Sequence, residues 1–538
     1  MNDKGPTAFD RFISYFAPGY ALKRYSAHLM FKALSGGDKG ERSFEAVSSS
    51  RLRGDWTNIT QDADAALGTS GPALRNMVRD LSHRSGLVAG PLRRITNNVI
   101  GLGIRPQARV KVDGDFDAPP GTEKITENTA KRFNYQAEKT YRRWTKKASS
   151  DLRTTMEELQ ALAFRGMIGD GETLVVVRSS SKKGRIIPLA LEVIEIDRLS
   201  TPPGEIKNPK VRNGILFDDE GAPQTYYVLK RHPGSTNVQT IAGTNDYEEI
   251  AAYGSNGLKK VIHLYDILRP GQSRGYSPFA AGLGDMQDLA RYREAVIVAA
   301  RVGACLAAFI ERPNSFTNAQ QNPSSTSRQL ITKFEPGMIK YTNPGEKVTP
   351  FTPSQPQNQF GEFTKQILMT AANAVDVPYE VFANDWAGLN YSNARTVLLQ
   401  AYLAFRIYQR FMINHLCIPV WENFVSDCVA VGKVEAPGFG VRKEDYFEVS
   451  WVPPGWQWVD PLKESQAATN DIDNLITTLS DTLAGRGDDW EEKLEQRARE
   501  LKRISELEDK YEIKMKPDKS PAVKAGGDKE AGGKKDEE

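Results

Sequence analysis

Apolar residues recur along this chain with two different periods, and the switches between them divide it. From residue 72, PALRNMVRDLSHRSGLVAGPLRRITNNVIG turns helical, with apolar residues at Leu74, Val78, Leu81, Leu87 and Leu92. Ser70-Gly71-Pro72 offers that helix a start and Gly101 a stop. A second helix is predicted over about 124–148 and a third over 151–168. In the third, Asp151 is the candidate N-cap, and Met156, Leu159, Leu162 and Met167 share a face.

The pattern then shortens. GETLVVVRS (171–179), LALEVIEIDRLS (189–200), GILFDD (214–219), QTYYVLKR (224–231) and VIHLYDI (261–267) are rich in β-branched and aromatic residues. Gly, Pro and Asp-Asp-Glu-Gly turns separate them, so each predicts a strand. The first half of the chain is therefore an α+β body.

Helix dominates afterwards. Ser277-Pro278 supplies an N-cap and N1 proline for a helix to about 310. Residues 311–356 read as loop with a small strand-bearing lobe. Helix returns at 358–375, where Phe360, Phe363, Ile367, Ala371 and Ala374 fall in one row. A polar loop, FANDWAGLNYSN (382–393), then runs into a helix ending near 430. Its Gly and Asn residues tolerate positive φ and read as mobility. In the long helix Leu398, Ala401, Phe405, Tyr408, Met412 and His415 alternate by three and four, a core-packing stripe. Arg406 and Arg410 sit on another face, either as solvated charges or paired with acids of another subunit, and Pro419 is expected to kink the helix. Trp451, Trp456 and Trp458 precede a second helical block over 461–507, in which Asp488 is a candidate cap. From 515 the chain is Lys- and acid-rich without apolar periodicity, which predicts disorder.

Composition narrows the function. With 538 residues, 71 basic and 68 acidic, the formal charge is only +3, so tight generic coating of nucleic acid is not implied. The length suits two to four domains. Three scattered cysteines (Cys305, Cys417, Cys428) argue against a disulfide framework and read as small buried hydrophobes. The five histidines stand in no HExxH or Cys-paired arrangement, so no metal is expected. The longest apolar run, 295–310, is interrupted by Arg301, and no run approaches the roughly 18 residues that span a bilayer.

Chemistry is sparse. GxxxxGK[ST] and GxSxG are absent, which removes the phosphate cradle of a nucleotidase and the nucleophile elbow of a hydrolase. Asp170-Gly171-Glu172 and Asp218-Asp219-Glu220-Gly221 cluster carboxylates that suit a metal or, for the second, a solvated hairpin tip. No cofactor is implied. The residues alone leave open a structural or binding protein and a nuclease or protease with a dispersed site.

An ordered set of segments decides among them. GQSRGYSP (271–278) after VIHLYDILRP, VDVPYEVFA before the polar loop, GLNYSNARTVLLQAYLAFRIYQRFM (388–412) and GRGDDWEEKLEQRARE (485–500) together resemble the portal proteins of lambda-like tailed bacteriophages; DGETLVVV (170–177) is a weaker element. The similarity covers roughly residues 60–505 in one order. It implies a portal fold with an N-terminal arm (1–60), an α+β wing (61–276), stem helices (277–310 and 357–381) around a clip (311–356), a tunnel loop (382–393), a long wing helix (394–432), an α-helical crown region (433–514) and a tail (515–538).

The resemblance further implies a ring, typically of twelve subunits, at one capsid vertex of the virion, acting as a DNA channel and assembly hub; a non-channel structural scaffold or capsid-associated adaptor is the alternative. Double-stranded DNA would enter through it, driven by a separate terminase ATPase, and leave through it at ejection. Head-completion or adaptor proteins and the major capsid or scaffold protein are the other implied partners, with assembly in the host cytoplasm and no membrane and no catalysis. The tunnel-loop positions are Asn384, Asp385, Trp386, Asn390, Tyr391 and Ser392. Asn384, Asn390 and Ser392 would offer neutral hydrogen-bonding groups to passing phosphates, Asp385 would repel them, and Trp386 would pack inward or face DNA.

Overall fold

A computed structural model describes residues 60–68, 70–113, 123–235, 246–304, 309–310, 340–341, 360–456 and 460–513. The N-terminal arm, the clip apart from residues 340–341, Cys305, Trp458 and the tail lie outside the described residues. The chain divides into two units, Met1–Asp62 and Ala63–Glu538, and the fold below is that of the second.

It opens with three helices, α1 (Ala63–Leu67), α2 (Ser70–Arg84) and α3 (Gly86–Val99). The single helix expected from 72 is two, because Ser85 takes an extended conformation (φ −136°) and caps α3 by accepting from Leu87 N–H. Strand β1 (Arg105–Ala108) follows, then α4 (Glu127–Trp144) and α5 (Met156–Asp170). The cap of α5 is Thr155, not Asp151. Thr155 accepts from Glu158 N–H while Glu158 reaches back to Thr155 N–H, a reciprocal capping box. Asp151 instead accepts the Ser149 hydroxyl in the preceding turn.

Two antiparallel sheets come next. One has the order β3-β2-β8, from β2 (Glu172–Ser179), β3 (Leu189–Ile194) and β8 (Val261–Tyr265); the other is β4-β5-β6-β7, from β4 (Val211–Arg212), β5 (Ile215–Phe217), β6 (Pro223–Leu229) and β7 (Tyr247–Ala251). The sequence pattern anticipated β2, β5, β6 and β8. It overran β3, which ends at Ile194 before a 3-10 turn at Ile196–Arg198, and it missed β1, β4 and β7. The run LVVV in β2 is continuous because both its faces are covered. Val175 belongs to the large helical core, while Leu174 and Val176 belong to a smaller core shared with Ile215, Tyr226, Val228 and Ile250 of the second sheet. The Asp218-Asp219-Glu220-Gly221 turn is a hairpin tip: Asp218 accepts from Glu220 and Ala222 N–H, and Gly221 has φ +86°.

Ser277 then caps a 3-10 turn, Pro278–Gly282, that continues as α6 (Leu283–Ala304). Short parallel strands β9 (Phe309–Ile310) and β10 (Lys340–Tyr341) pair with each other. Helix α7 (Phe360–Ala374) returns beside α6: Gly282 lies against Ala371, and Tyr292 contacts Phe360 and Phe363. The two helices are therefore antiparallel. After α8 (Tyr379–Ala383) comes α9 (Tyr391–Met412), a π-turn at Ile413–Cys417, and α10 (Ile418–Ala430). The disturbance assigned to Pro419 falls in the turn before it, where the ring would meet the carbonyl of His415 and the helix widens instead of breaking. Along α9, Ala401, Phe405 and Met412 are buried, as a core stripe requires, whereas His415 is exposed.

Helix α11 (Lys443–Phe447) and β11 (Val449–Val452) fold back on the body. β11 pairs antiparallel with β1, Tyr446 packs on Phe133, and buried Arg442 forks onto both carboxylate oxygens of Asp113 at 2.6 Å. Three further helices, α12 (Pro461–Asp473), α13 (Leu479–Ala484) and α14 (Trp490–Tyr511), follow. Asp489, one residue beyond the expected Asp488, caps α14 by accepting from Glu491 and Glu492 N–H. None of these three helices buries a residue within the chain.

Candidate functional site

The polar loop ahead of α9 is built from the end of the α6/α7 pair upward. At its near side, Val381 and Phe382 of α8 are buried and Phe382 meets Phe279 at a ring-centroid distance of 6.4 Å. Arg94 of α3 donates to the Phe382 carbonyl. The loop therefore leaves a fixed platform where α6, α7 and the body meet.

Its conformation follows from residue types. Asn384 ends α8 in the left-handed region (φ 58°), its N–H bonded to the Glu380 carbonyl, and Gly388 has φ +77°. Asp385 accepts the Tyr379 hydroxyl at 2.9 Å and the Ala387 N–H at 3.1 Å. These bonds hold its carboxyl below the ordinary range, the Ala387 N–H first and the Tyr379 hydroxyl next. Burial, aided by Asp385, pushes Tyr379 up to about 12. Trp386 Nε1–H donates to Asn384 Oδ1 at 3.2 Å, and Asn390 caps α9 by accepting from Asn393 N–H at 2.9 Å.

All six residues singled out in the sequence thus lie on one turn. Asn384, Trp386, Asn390, Tyr391 and Ser392 are exposed, and Asp385 is half-buried. Three of the polar side chains close the loop on itself, and its Asn384 and Gly388 supply the positive φ that the turn needs. Trp386 keeps 39% of its surface exposed and Tyr391 50%, which makes them the apolar features of the turn.

Beneath the start of α6 lies a second polar centre that the sequence pattern did not assemble. Glu172, fully buried at the head of β2, accepts from Arg75 at 3.0 Å, from Arg274 Nη2 at 2.8 Å, from His263 Nε2 at 3.0 Å and from Gly275 N–H at 3.1 Å. Burial opposes its ionisation, but the Arg274 charge and the His263 hydrogen bond outweigh it and hold the carboxyl at about 2. Burial also lowers His263, against the pull of Glu172, so the neutral ring donates through Nε2–H. Asp170, the other carboxylate of the Asp170-Gly171-Glu172 turn, takes both arms of Arg79 at 2.8 and 2.6 Å. The turn is an arginine receptor, and among the described residues no cluster of His, Cys, Asp or Glu suits a metal ion.

This centre explains GQSRGYSP. Arg274 and Gly275 bind Glu172, Gln272 bonds the backbone of Leu268, Arg269, Asp266 and Arg274, and Ser277 donates to the Ile168 carbonyl at 2.7 Å. The signal available in the sequence was the arginine inside a Gly-flanked turn, paired with an acid at the edge of an apolar strand. Among the described residues no helix is long and apolar enough to cross a membrane.

Comparison with known proteins gives a consistent picture. The family model described as "Phage portal protein, lambda family" matches residues 49–409. The probable portal protein of Halomonas phage phiHAP-1 is 27% identical over 480 residues, covering 87% of each chain. Portal protein B of Escherichia phage lambda is 20% identical over 83% of this chain and 86% of its own, and the portal protein of Escherichia phage N15 is 22% identical over 84% and 87%. Among solved structures, a chain from the neck of an empty GTA particle aligns over 78% of this chain and 94% of its own at 12% identity and a TM-score of 0.42, too loose a likeness to carry an argument.

Proposed function

The chain belongs to the lambda family of phage portal proteins, and from that premise we propose that it forms a ring-shaped channel at one capsid vertex, through which double-stranded DNA is packaged and later ejected. Its role is structural, not enzymatic: it is a head-tail connector. The family match over residues 49–409 carries this reading.

Within that reading, α6 and α7 are the stem, residues 311–356 the clip facing terminase and then head-completion proteins, and residues 382–393 the tunnel loop. The rest follows the domain order set out from the sequence, with residues 433–514 as the crown region. Symmetry about the channel axis turns one turn per chain into a collar of Trp386, Tyr391 and Ser392 side chains. Near-neutral net charge favours passage, because each phosphate neutralised by a fixed cation would add grip that opposes translocation. DNA is taken through without sequence reading, since no base-reading element is needed in a pore.

Heads assembled in a host lacking this chain, with the chain supplied in trans or withheld, test the proposal. Nuclease-resistant DNA should accumulate in heads only when the chain is present. Heads that fill equally well without it would contradict the reading.

A further inference from the structure

Helix α9 is apolar on two sides. Its inner stripe is core, but Leu399, Leu403 and Ile407, spaced by four on the opposite side, are 57%, 57% and 61% exposed. A helix with apolar residues on both faces is normally covered on both. The same helix contains three arginines, Arg395, Arg406 and Arg410, and no Asp or Glu; Arg395 pairs with Glu464 of α12 in the same chain at 3.6 Å, which leaves Arg406 and Arg410 for an outside partner. Arg406 and Arg410 border the exposed stripe and are solvent-exposed.

A feature of opposite character lies in the C-terminal block. Residues 460–484 hold five carboxylates (Asp460, Glu464, Asp471, Asp473, Asp481) against one lysine, Lys463. At the turn between α12 and α13, Leu475 sits in the left-handed region (φ 60°) with 92% of its surface exposed, and Ile476 beside it is 73% exposed. A leucine held at positive φ is strained, and a strained residue that projects apolar surface into water points to a contact made outside the chain. Asp471 and Asp473 lie in the last turn of α12, just before this knob.

We propose that in the ring the Leu475–Ile476 knob of one copy seats on the Leu399–Leu403–Ile407 stripe of the next, with Asp471 and Asp473 facing Arg406 and Arg410. This rests on the ring reading above. The two faces differ, and a heterologous contact between unlike faces is what propagates around a closed ring. Charge complementarity sets its register. DNA is the poorer occupant for the α9 face, because three large aliphatic side chains would be left against a hydrated phosphate surface.

Cross-linking the full chain tests this. In a Cys305→Ser background the remaining cysteines, Cys417 and Cys428, are buried and their thiols pushed up by burial, hence unreactive. Carrying Leu403→Cys and Leu475→Cys together, oxidised rings should give a ladder of covalent multimers on a denaturing gel, and each single variant should give monomer only. Arg406→Glu with Arg410→Glu should abolish rings, and adding Asp471→Lys with Asp473→Lys should restore them. Intact rings without a ladder, dimers from Leu403→Cys alone, or arginine reversal that keeps rings and weakens only DNA retention would each overturn the proposal. Unaltered chain that never forms rings would instead remove the portal reading.

Discussion

Gly171 and Gly275 lie back to back, so closely that a Cβ on Gly275 would stand 2.2 Å from the Gly171 carbonyl oxygen and 2.6 Å from Tyr265 Cβ. This contact lets the turn into α6 approach the head of β2, where Gly275 N–H and Arg274 reach Glu172. The start of α6 is thereby tied to the body through two glycines and one buried carboxylate.

Gly275→Ala should therefore lower stability by about 1–3 kcal/mol through overpacking against backbone that cannot retreat. Gly221→Ala is the control: it has positive φ but open space around it, so only the conformational strain of about 1–2 kcal/mol remains. Urea unfolding of both variants checks the order, and the contact at the start of α6 predicts further that only Gly275→Ala disturbs ring assembly.

Glu172→Ala leaves Arg274 without its carboxylate partner and Arg75 with Asp197 alone, and should cost about 3–5 kcal/mol. The carboxyl is held at about 2 against an ordinary 4.5. A lowered folded value means that its contribution is complete above about pH 4.5 and fades as pH falls toward 2. Unfolding midpoints measured from pH 6 downward should show the decline in the unaltered chain, and Glu172→Gln should flatten it.

Glu138 has the opposite sign. It lines a cleft of about 460 Å³ between α4, β1 and the start of α14, where it accepts from Ala108 N–H. Burial, reinforced by Asp489, pushes its carboxyl up to about 7. Native protein therefore holds a proton that unfolded chain has released, and the contribution present below about pH 4.5 is lost as pH rises through 7. Glu138→Gln keeps the acceptor without the charge and should be the more stable form at about pH 8 by thermal unfolding.

For the loop, deletion of Asp385–Leu389 should leave rings intact and impair packaging or retention of DNA. The Tyr379–Asp385 bond predicts a milder version: Tyr379→Phe should reduce packaging without altering assembly. Counting rings and nuclease-resistant DNA in parallel separates the two effects. Loss of rings on deletion would make the loop part of the subunit interface.

Local signals were legible where local physics decides them. Ser277-Pro278 starts a helical segment, Asn384 and Gly388 take the positive φ expected of them, and LVVV is a buried strand. Ser85, Thr155 and Asp489 displaced the expected boundaries because several residues near each helix start are capable caps, and only the tertiary position of the chain selects one. The Glu172 centre was out of reach for another reason. Arg75, Glu172, His263 and Arg274 come from four separate segments, and nothing local relates them. The exposed face of α9 is a tertiary fact, because it depends on which stripe of the helix the chain itself covers.

Electron microscopy of the purified full-length chain tests the central claim most directly. The account predicts closed rings of uniform subunit number around a hole wide enough for a DNA duplex. Particles that stay monomeric at every concentration tried, or rings with no open centre, would contradict it.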